Sequence, residues 1–73
     1  MYGNTGRRPD QMNNRIKEER KLRKVSQQEL AEATGVSRQT IYAIEKDIYI
    51  PSTELALKMS AFFGKSVNEL FWL

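Results

Sequence analysis

Apolar residues recur along this chain at helical spacing, in short blocks separated by residues that stop helices. Residues 26–51 read SQQELAEATGVSRQTIYAIEKDIYIP. Leu30 and Ala31 give a first block its apolar side, and Ile41 and Ile44, three residues apart, do so for a second. Ser26 stands three residues before Glu29, a capping box that starts a helix. Gly35 lies between the blocks, where a sharp turn favours the one residue that takes positive φ without penalty. Ser37 caps the second block. The pattern predicts helices over 27–34 and 38–46. Arg38, Gln39 and Tyr42 point away from Ile41 and Ile44, leaving a polar face that the core does not use. Helix, glycine turn and helix with an exposed polar face is the arrangement that lays a rod in the DNA major groove.

The flanking segments read the same way. A helix is expected over 13–23, although Ile16, Arg20 and Arg23 share its face and make a poor apolar stripe that Leu22 and Val25 help close. Asp47 and Tyr49 fall in a loop ended by Pro51, which disfavours helix just before it. Ser52 caps a helix over 53–63 with the stripe Leu55, Ala56, Met59, Phe62 and Phe63, and Gly64 ends it. Ser66 and Glu69 form a second capping box for a short fifth helix ending near Trp72. No strand is expected; Tyr49-Ile50 is the one extended-looking pair. The expected core is Leu30, Ala31, Val36, Ile41, Ile44, Leu55, Met59, Phe63, Val67 and Leu70, in an all-α domain spanning 12–73. Residues 1–11, MYGNTGRRPDQ, carry two glycines, one proline and no periodicity. They read as a disordered arm, whose Arg7 and Arg8 would track a DNA groove if the arm has a function.

Composition narrows the function. Seventy-three residues allow one small domain and no separate small-molecule effector domain. No run approaches the ~20 apolar residues of a membrane span, and no apolar leader segment is present at the start. Cysteine is absent, which fits a reducing compartment, the cytoplasm. With neither Cys nor His, no transition-metal site and no cofactor are expected, and nucleophile–imidazole pairs are unavailable. The acids Glu18, Glu19, Glu29 and Glu32 lie among basic residues on helices expected to be solvated, so no enzyme is expected. Net charge is +3, unevenly spread: residues 1–46 hold ten Lys/Arg against six Asp/Glu, and residues 47–73 hold two against three. The basic half is the half with the helix pair; such a stretch is usually a solvated face, and beside a candidate recognition helix it is also a candidate phosphate footprint.

Taken in order and spacing, several short pieces resemble one family. They are Arg15-Ile16 and Arg20; Ser26-Gln27-x-Glu29-Leu30-Ala31; Gly35-Val36-Ser37-Arg38-Gln39-Thr40-Ile41; Ile44-Glu45; Pro51-Ser52; and Gly64-Lys65-Ser66-Val67-Asn68-Glu69-Leu70-Phe71. Residues 12–73 resemble the lambda-repressor-like DNA-binding domains of the Cro/Xre branch. The resemblance implies a compact five-helix fold with its helix-turn-helix at the second and third helices. The chain departs from the family pattern at Glu19, where Leu is common, at Lys24, where Gly is common, and at Lys46-Asp47, where Asn-Gly is common. Asp tolerates the left-handed conformation of that glycine at some cost.

The resemblance also assigns roles. Arg38 and Gln39 occupy the turn that reaches base edges, where Arg suits guanine and Gln adenine. Tyr42 would meet a thymine methyl or a sugar, and Ala43 leaves room for close approach. Solvation or phosphate contact is the alternative for each. Gln27 would hold a phosphate and brace the recognition helix, or serve only as a polar first-turn residue. Ser37, Thr40 and Lys46 are further phosphate candidates. Arg20 and Glu45 are expected to form a partly buried ion pair. Leu57, Phe71, Trp72 and Leu73 are surplus apolar surface, expected to form a homodimer seam; alternatively Phe71 and Trp72 simply cover the core. The function implied is a sequence-specific transcription regulator, a repressor, binding a dyad-symmetric operator in double-stranded DNA. The other class left open is a protein-interaction module, such as an antitoxin or adaptor, acting through the C-terminal apolar surface.

Overall fold

Each helix here starts and stops where a short local signal instructs it to, and the sequence of elements follows from those signals. The computed structural model describes residues 12–73. The described residues form, in order, β1 (Asn13–Asn14), α1 (Ile16–Leu22), α2 (Gln27–Thr34), α3 (Arg38–Glu45), α4 (Thr53–Phe63), α5 (Val67–Leu70) and β2 (Phe71–Trp72). The arm expected over 1–11, with Arg7 and Arg8, lies outside them. No helix among the described residues is long and apolar enough to cross a membrane.

Helices α2 to α5 each begin at a serine in extended conformation. Ser26, Ser37, Ser52 and Ser66 accept, through their hydroxyls, the amides of Glu29, Thr40, Leu55 and Glu69. Each such cap stabilises its helix by about 1 kcal/mol. At Ser26 and Ser66 the capping box is complete. The backbone and hydroxyl of Ser66, hydrogen-bonded to the Glu69 carboxylate, hold that carboxyl below its ordinary value, with Lys65 and Arg15 adding to the effect.

The helix ends divide into two kinds. Gly35 (φ +78°) and Gly64 (φ +68°) end α2 and α4 in the left-handed conformation. Lys24 (φ 57°) and Asp47 (φ 60°) do the same after α1 and α3 without being glycine. Both ends close in the same pattern. Val25 N–H donates to Arg20 O at 3.0 Å and Lys24 N–H to Lys21 O at 3.1 Å. Ile48 N–H donates to Ala43 O at 2.9 Å and Asp47 N–H to Ile44 O at 3.0 Å. This is the Schellman arrangement, which ordinarily recruits glycine. The loop after α3 therefore keeps the glycine-type geometry, and Asp47 gains a compensating contact: its Oδ1 accepts from Asn14 Nδ2 at 3.0 Å.

Three expectations about elements need correction, the absence of strands among them. The first helix does not begin at 13, and the last does not reach Trp72. Asn13 and Asn14 pair antiparallel with Trp72 and Phe71, in register Asn13↔Trp72 and Asn14↔Phe71. The physical cause is Asn14, whose Oδ1 accepts the amide of Ile16 at 3.0 Å and so fixes the start of α1 two residues later. The Arg15 amide then donates to Leu70 O at 3.0 Å, tying the strand pair to the end of α5. Neither dipeptide carries strand periodicity; the pairing exists because the two ends of the described residues meet.

The core is Ile16, Leu30, Ala31, Ile41, Ile44, Leu55, Ala56, Met59, Phe63, Leu70 and Phe71, with Met12, Val25, Val36 and Val67 partly buried against it. Leu22 and Phe62 are exposed, contrary to the stripes expected of them. Phe62 sits beside the Leu55–Met59–Phe63 row and meets Phe63 edge-on, with ring centroids 5.0 Å apart. Glu19, expected to be solvated, is buried. It is tolerated because Arg23, one turn later, pairs with it. Arg23 continues across the core edge, donating from Nη2 to Phe63 O at 2.7 Å and lying over the Phe63 ring. The Glu19–Arg23 pair thus does the sealing that an apolar seam of α1 would otherwise do.

Candidate nucleic-acid interface

Ile41 and Ile44 anchor α3 in the core, and that burial turns the opposite side of the helix outward. Arg38, Gln39, Tyr42 and Lys46 are exposed on it, and Thr40 and Ala43 are half-buried at its margins. Ser37 is exposed at the cap, its hydroxyl 3.0 Å from that of Thr40. Only one of these two hydroxyls donates in their contact, so the hydrogen of the other can reach a phosphate.

The roll of α3 about its axis is set by a polar chain. Arg20 donates from Nε to Glu45 Oε2 at 2.7 Å and from Nη2 to Glu45 Oε1 at 3.1 Å. Its Nη1 donates to Val25 O at 3.0 Å, so the guanidinium also holds the turn between α1 and α2. Gln27 Nε2 donates to Glu45 Oε1 at 3.0 Å. Gln27 Oε1 in turn receives Arg38 Nη1 at 3.4 Å, at the long end of the range. A buried cation in α1 is thereby linked, through one carboxylate and one amide, to the exposed arginine at the start of α3. Fully partnered buried polar groups of this kind fix a single arrangement; none among the described residues lacks a partner.

Lys46 leans back over Tyr42, its Nζ 5.7 Å from the ring centroid. Tyr42, Lys46, Gln27 and Glu45 line a cleft of ≈ 180 Å³ together with Lys17 of α1. Lys17 and Asn14 are residues that sequence reasoning missed. Asn14 donates to Ile44 O at 2.8 Å, a second donor beside the Asp47 amide on that carbonyl at the end of α3. The signal for both would have been the approach of β1 and α1 to the end of α3, which no local pattern reveals.

The residues expected at a dimer seam separate. Leu57, Trp72 and Leu73 are exposed, Leu73 at 88%. Phe71 is 5% exposed and belongs to the core, because the β1–β2 pairing turns alternate side chains to opposite sides. Its assignment to the seam is corrected accordingly. Trp72 carries Arg15 over its ring at 5.2 Å. An apolar hollow of ≈ 390 Å³ borders it, lined by Met12, Ala56, Val67 and Leu73 among others.

Comparison with known proteins places this geometry. The helix-turn-helix family model matches residues 16–70. An uncharacterised HTH-type transcriptional regulator of Methanocaldococcus jannaschii is 48% identical over 60 residues, 82% of this chain and 91% of that protein. One of Bacillus subtilis is 47% identical over 62 residues, covering 85% and 94% respectively. One of Archaeoglobus fulgidus is 42% identical over 60 residues, covering 82% and 84%. With five helices, four of them serine-capped, a glycine turn between α2 and α3 and a polar outer face on α3, the chain belongs to the helix-turn-helix family, a non-enzymatic DNA-binding class, as a lambda-repressor-like domain.

Proposed function

We propose that this protein is a DNA-binding transcription regulator that lays α3 in the major groove and binds a dyad-symmetric operator as a homodimer. The observation that carries this reading is the exposed face Arg38–Gln39–Tyr42, held in one orientation by the Arg20–Glu45–Gln27 chain. Arg38 and Gln39 offer the donor and acceptor pairs that distinguish guanine and adenine. Tyr42 and Ala43 line the next turn against base methyls and sugars. Gln27, Ser37, Thr40 and Lys46 surround this face where phosphates would lie. Relatives named HTH-type transcriptional regulators support the regulatory role.

A single domain of this size touches few bases, and a two-fold dimer doubles the contacts over half-sites about 34–36 Å apart. Leu57, Trp72 and Leu73 supply the apolar surface for that pairing. Repression is the expected output, since a dimer on an operator blocks access without a second activity. The cytoplasm is the expected compartment. Selection of bound duplexes from random sequence, followed by footprinting, tests the whole reading. A dyad-symmetric site supports it; recovery of no sequence above background sinks it.

The exposed Trp72 and Leu73 also support a second reading, an antitoxin or adaptor that binds a different protein through this end. A chain that remains monomeric at high concentration and selects no palindrome would favour it.

A further inference from the structure

The cleft between α1 and α3 contains a cation that the readout above does not use. Lys17 is exposed, one turn before Arg20 on α1, and lines the cleft with Gln27, Tyr42 and Lys46. Among the described residues it has no ion pair. Glu45 is the one carboxylate in the lining, and both of its oxygens are already occupied, Oε2 by Arg20 and Oε1 by Arg20 and Gln27. Two ammonium groups therefore border a cleft whose only negative charge is neutralised from behind. Like charges sharing a small cleft repel, and the arrangement is relieved by an anion between or beside them. Gln27 donates to Glu45 through Nε2, and that amide nitrogen carries a second hydrogen available to such an anion.

We infer that Lys17 is a DNA-backbone contact, gripping with Lys46 a phosphodiester at the edge of the half-site read by α3. The inference rests on the DNA-binding reading above. The anion is assigned to the DNA backbone because Tyr42 belongs both to the cleft and to the outward face of α3. A duplex that meets Tyr42 brings its sugar–phosphate strand alongside. Arg20 positions this grip: by hooking Glu45 it turns the α1 face that carries Lys17 toward the end of α3. Lys17 would add affinity for any sequence and no base preference, since phosphates carry no sequence information directly.

The test uses the full chain with a selected operator duplex and a random duplex of equal length. Binding is titrated against salt for wild type, Lys17→Met, Lys17→Gln and Lys17→Arg, with folding checked by circular dichroism. Each neutralised phosphate adds ~0.9 to the log–log salt slope, so losing one weakens binding about fivefold at 0.15 M salt. Lys17→Met and Lys17→Gln should lose that slope and that affinity on both duplexes, with their affinity ratio unchanged, and Lys17→Arg should retain both. Wild-type slope in a folded Lys17→Met or Lys17→Gln overturns the inference while leaving DNA binding intact. A change in the operator-to-random ratio also overturns it, by making Lys17 a base reader. A wild-type chain that binds neither duplex at any salt overturns the DNA-binding reading together with it.

Discussion

Arg20 and Glu45 meet side-on, with Nε to Oε2 at 2.7 Å and Nη2 to Oε1 at 3.1 Å, while their side chains are only 10% and 3% exposed. Both charges are thus withdrawn from water and depend on each other. Arg20→Met strands the carboxylate and should cost about 3–5 kcal/mol, a large part of the stability of a domain this small. Glu45→Leu should cost a similar amount by stranding the guanidinium. The double variant Arg20→Met/Glu45→Leu should recover much of the loss, since two apolar residues can replace a buried pair. Its DNA affinity should stay low, because Gln27 then loses the acceptor that orients it. Urea unfolding of the four proteins checks the first part. Single variants as stable as wild type would remove the pair from the folding argument.

Lys24 and Asp47 hold the same left-handed conformation with different compensation. Lys24 has an exposed side chain and no glycine-like freedom, and a left-handed L-residue costs roughly 1–2 kcal/mol. Lys24→Gly should therefore stabilise the fold by about 0.5–1 kcal/mol after the added flexibility of the unfolded chain is counted. Asp47→Gly relieves the same strain but gives up the hydrogen bond from Asn14, so it should gain little or nothing. Thermal melting of the two variants side by side decides this; equal gains would mean the Asn14 contact contributes no stability.

Base recognition should divide along α3. Arg38→Ala and Gln39→Ala should each cost about 1–3 kcal/mol on the preferred operator and little on random duplex. Gln27→Ala should weaken both duplexes through its lost phosphate contact and the operator somewhat more, since it also releases the Arg38 guanidinium from its 3.4 Å contact. Lys46→Ala should weaken both duplexes alike. If Arg38→Ala and Gln39→Ala reduce both equally, neither side chain reads a base.

The C-terminal residues should separate stability from association. Trp72→Ala and Leu73→Asp should weaken self-association, each large apolar side chain contributing roughly 1.5–3 kcal/mol, with the helical signal intact. Phe71→Ala should instead unfold the domain more readily, by about 3–5 kcal/mol, because its ring fills the core. Sedimentation equilibrium measures the first and chemical denaturation the second. An unchanged dimer in folded Trp72→Ala and Leu73→Asp proteins would move the seam elsewhere.

Local chemistry made most of the fold legible. Four serines and two glycines wrote the boundaries of α2 and α4 and the starts of α3 and α5. The i, i+3 and i, i+4 spacing of Leu30, Ile41, Ile44, Leu55 and Met59 wrote the core. These signals act within one or two turns, which is the range over which sequence spacing fixes geometry. The polar face of α3 was visible for the same reason: burying Ile41 and Ile44 dictates where Arg38, Gln39 and Tyr42 point.

Only the tertiary structure decided what depends on chain segments far apart meeting. The pairing of Asn13–Asn14 with Phe71–Trp72 joins the ends of the described residues, and it moved Phe71 from an expected seam into the core. Glu19 could be buried because Arg23 and the Phe63 carbonyl converge on that corner. Lys17 came to face Tyr42 and Lys46 because α1 crosses the end of α3, where Arg20 fastens it. A side chain's own neighbours in sequence set its direction from the helix; which distant charge or apolar surface lies in that direction is set by packing, and no local pattern carries it.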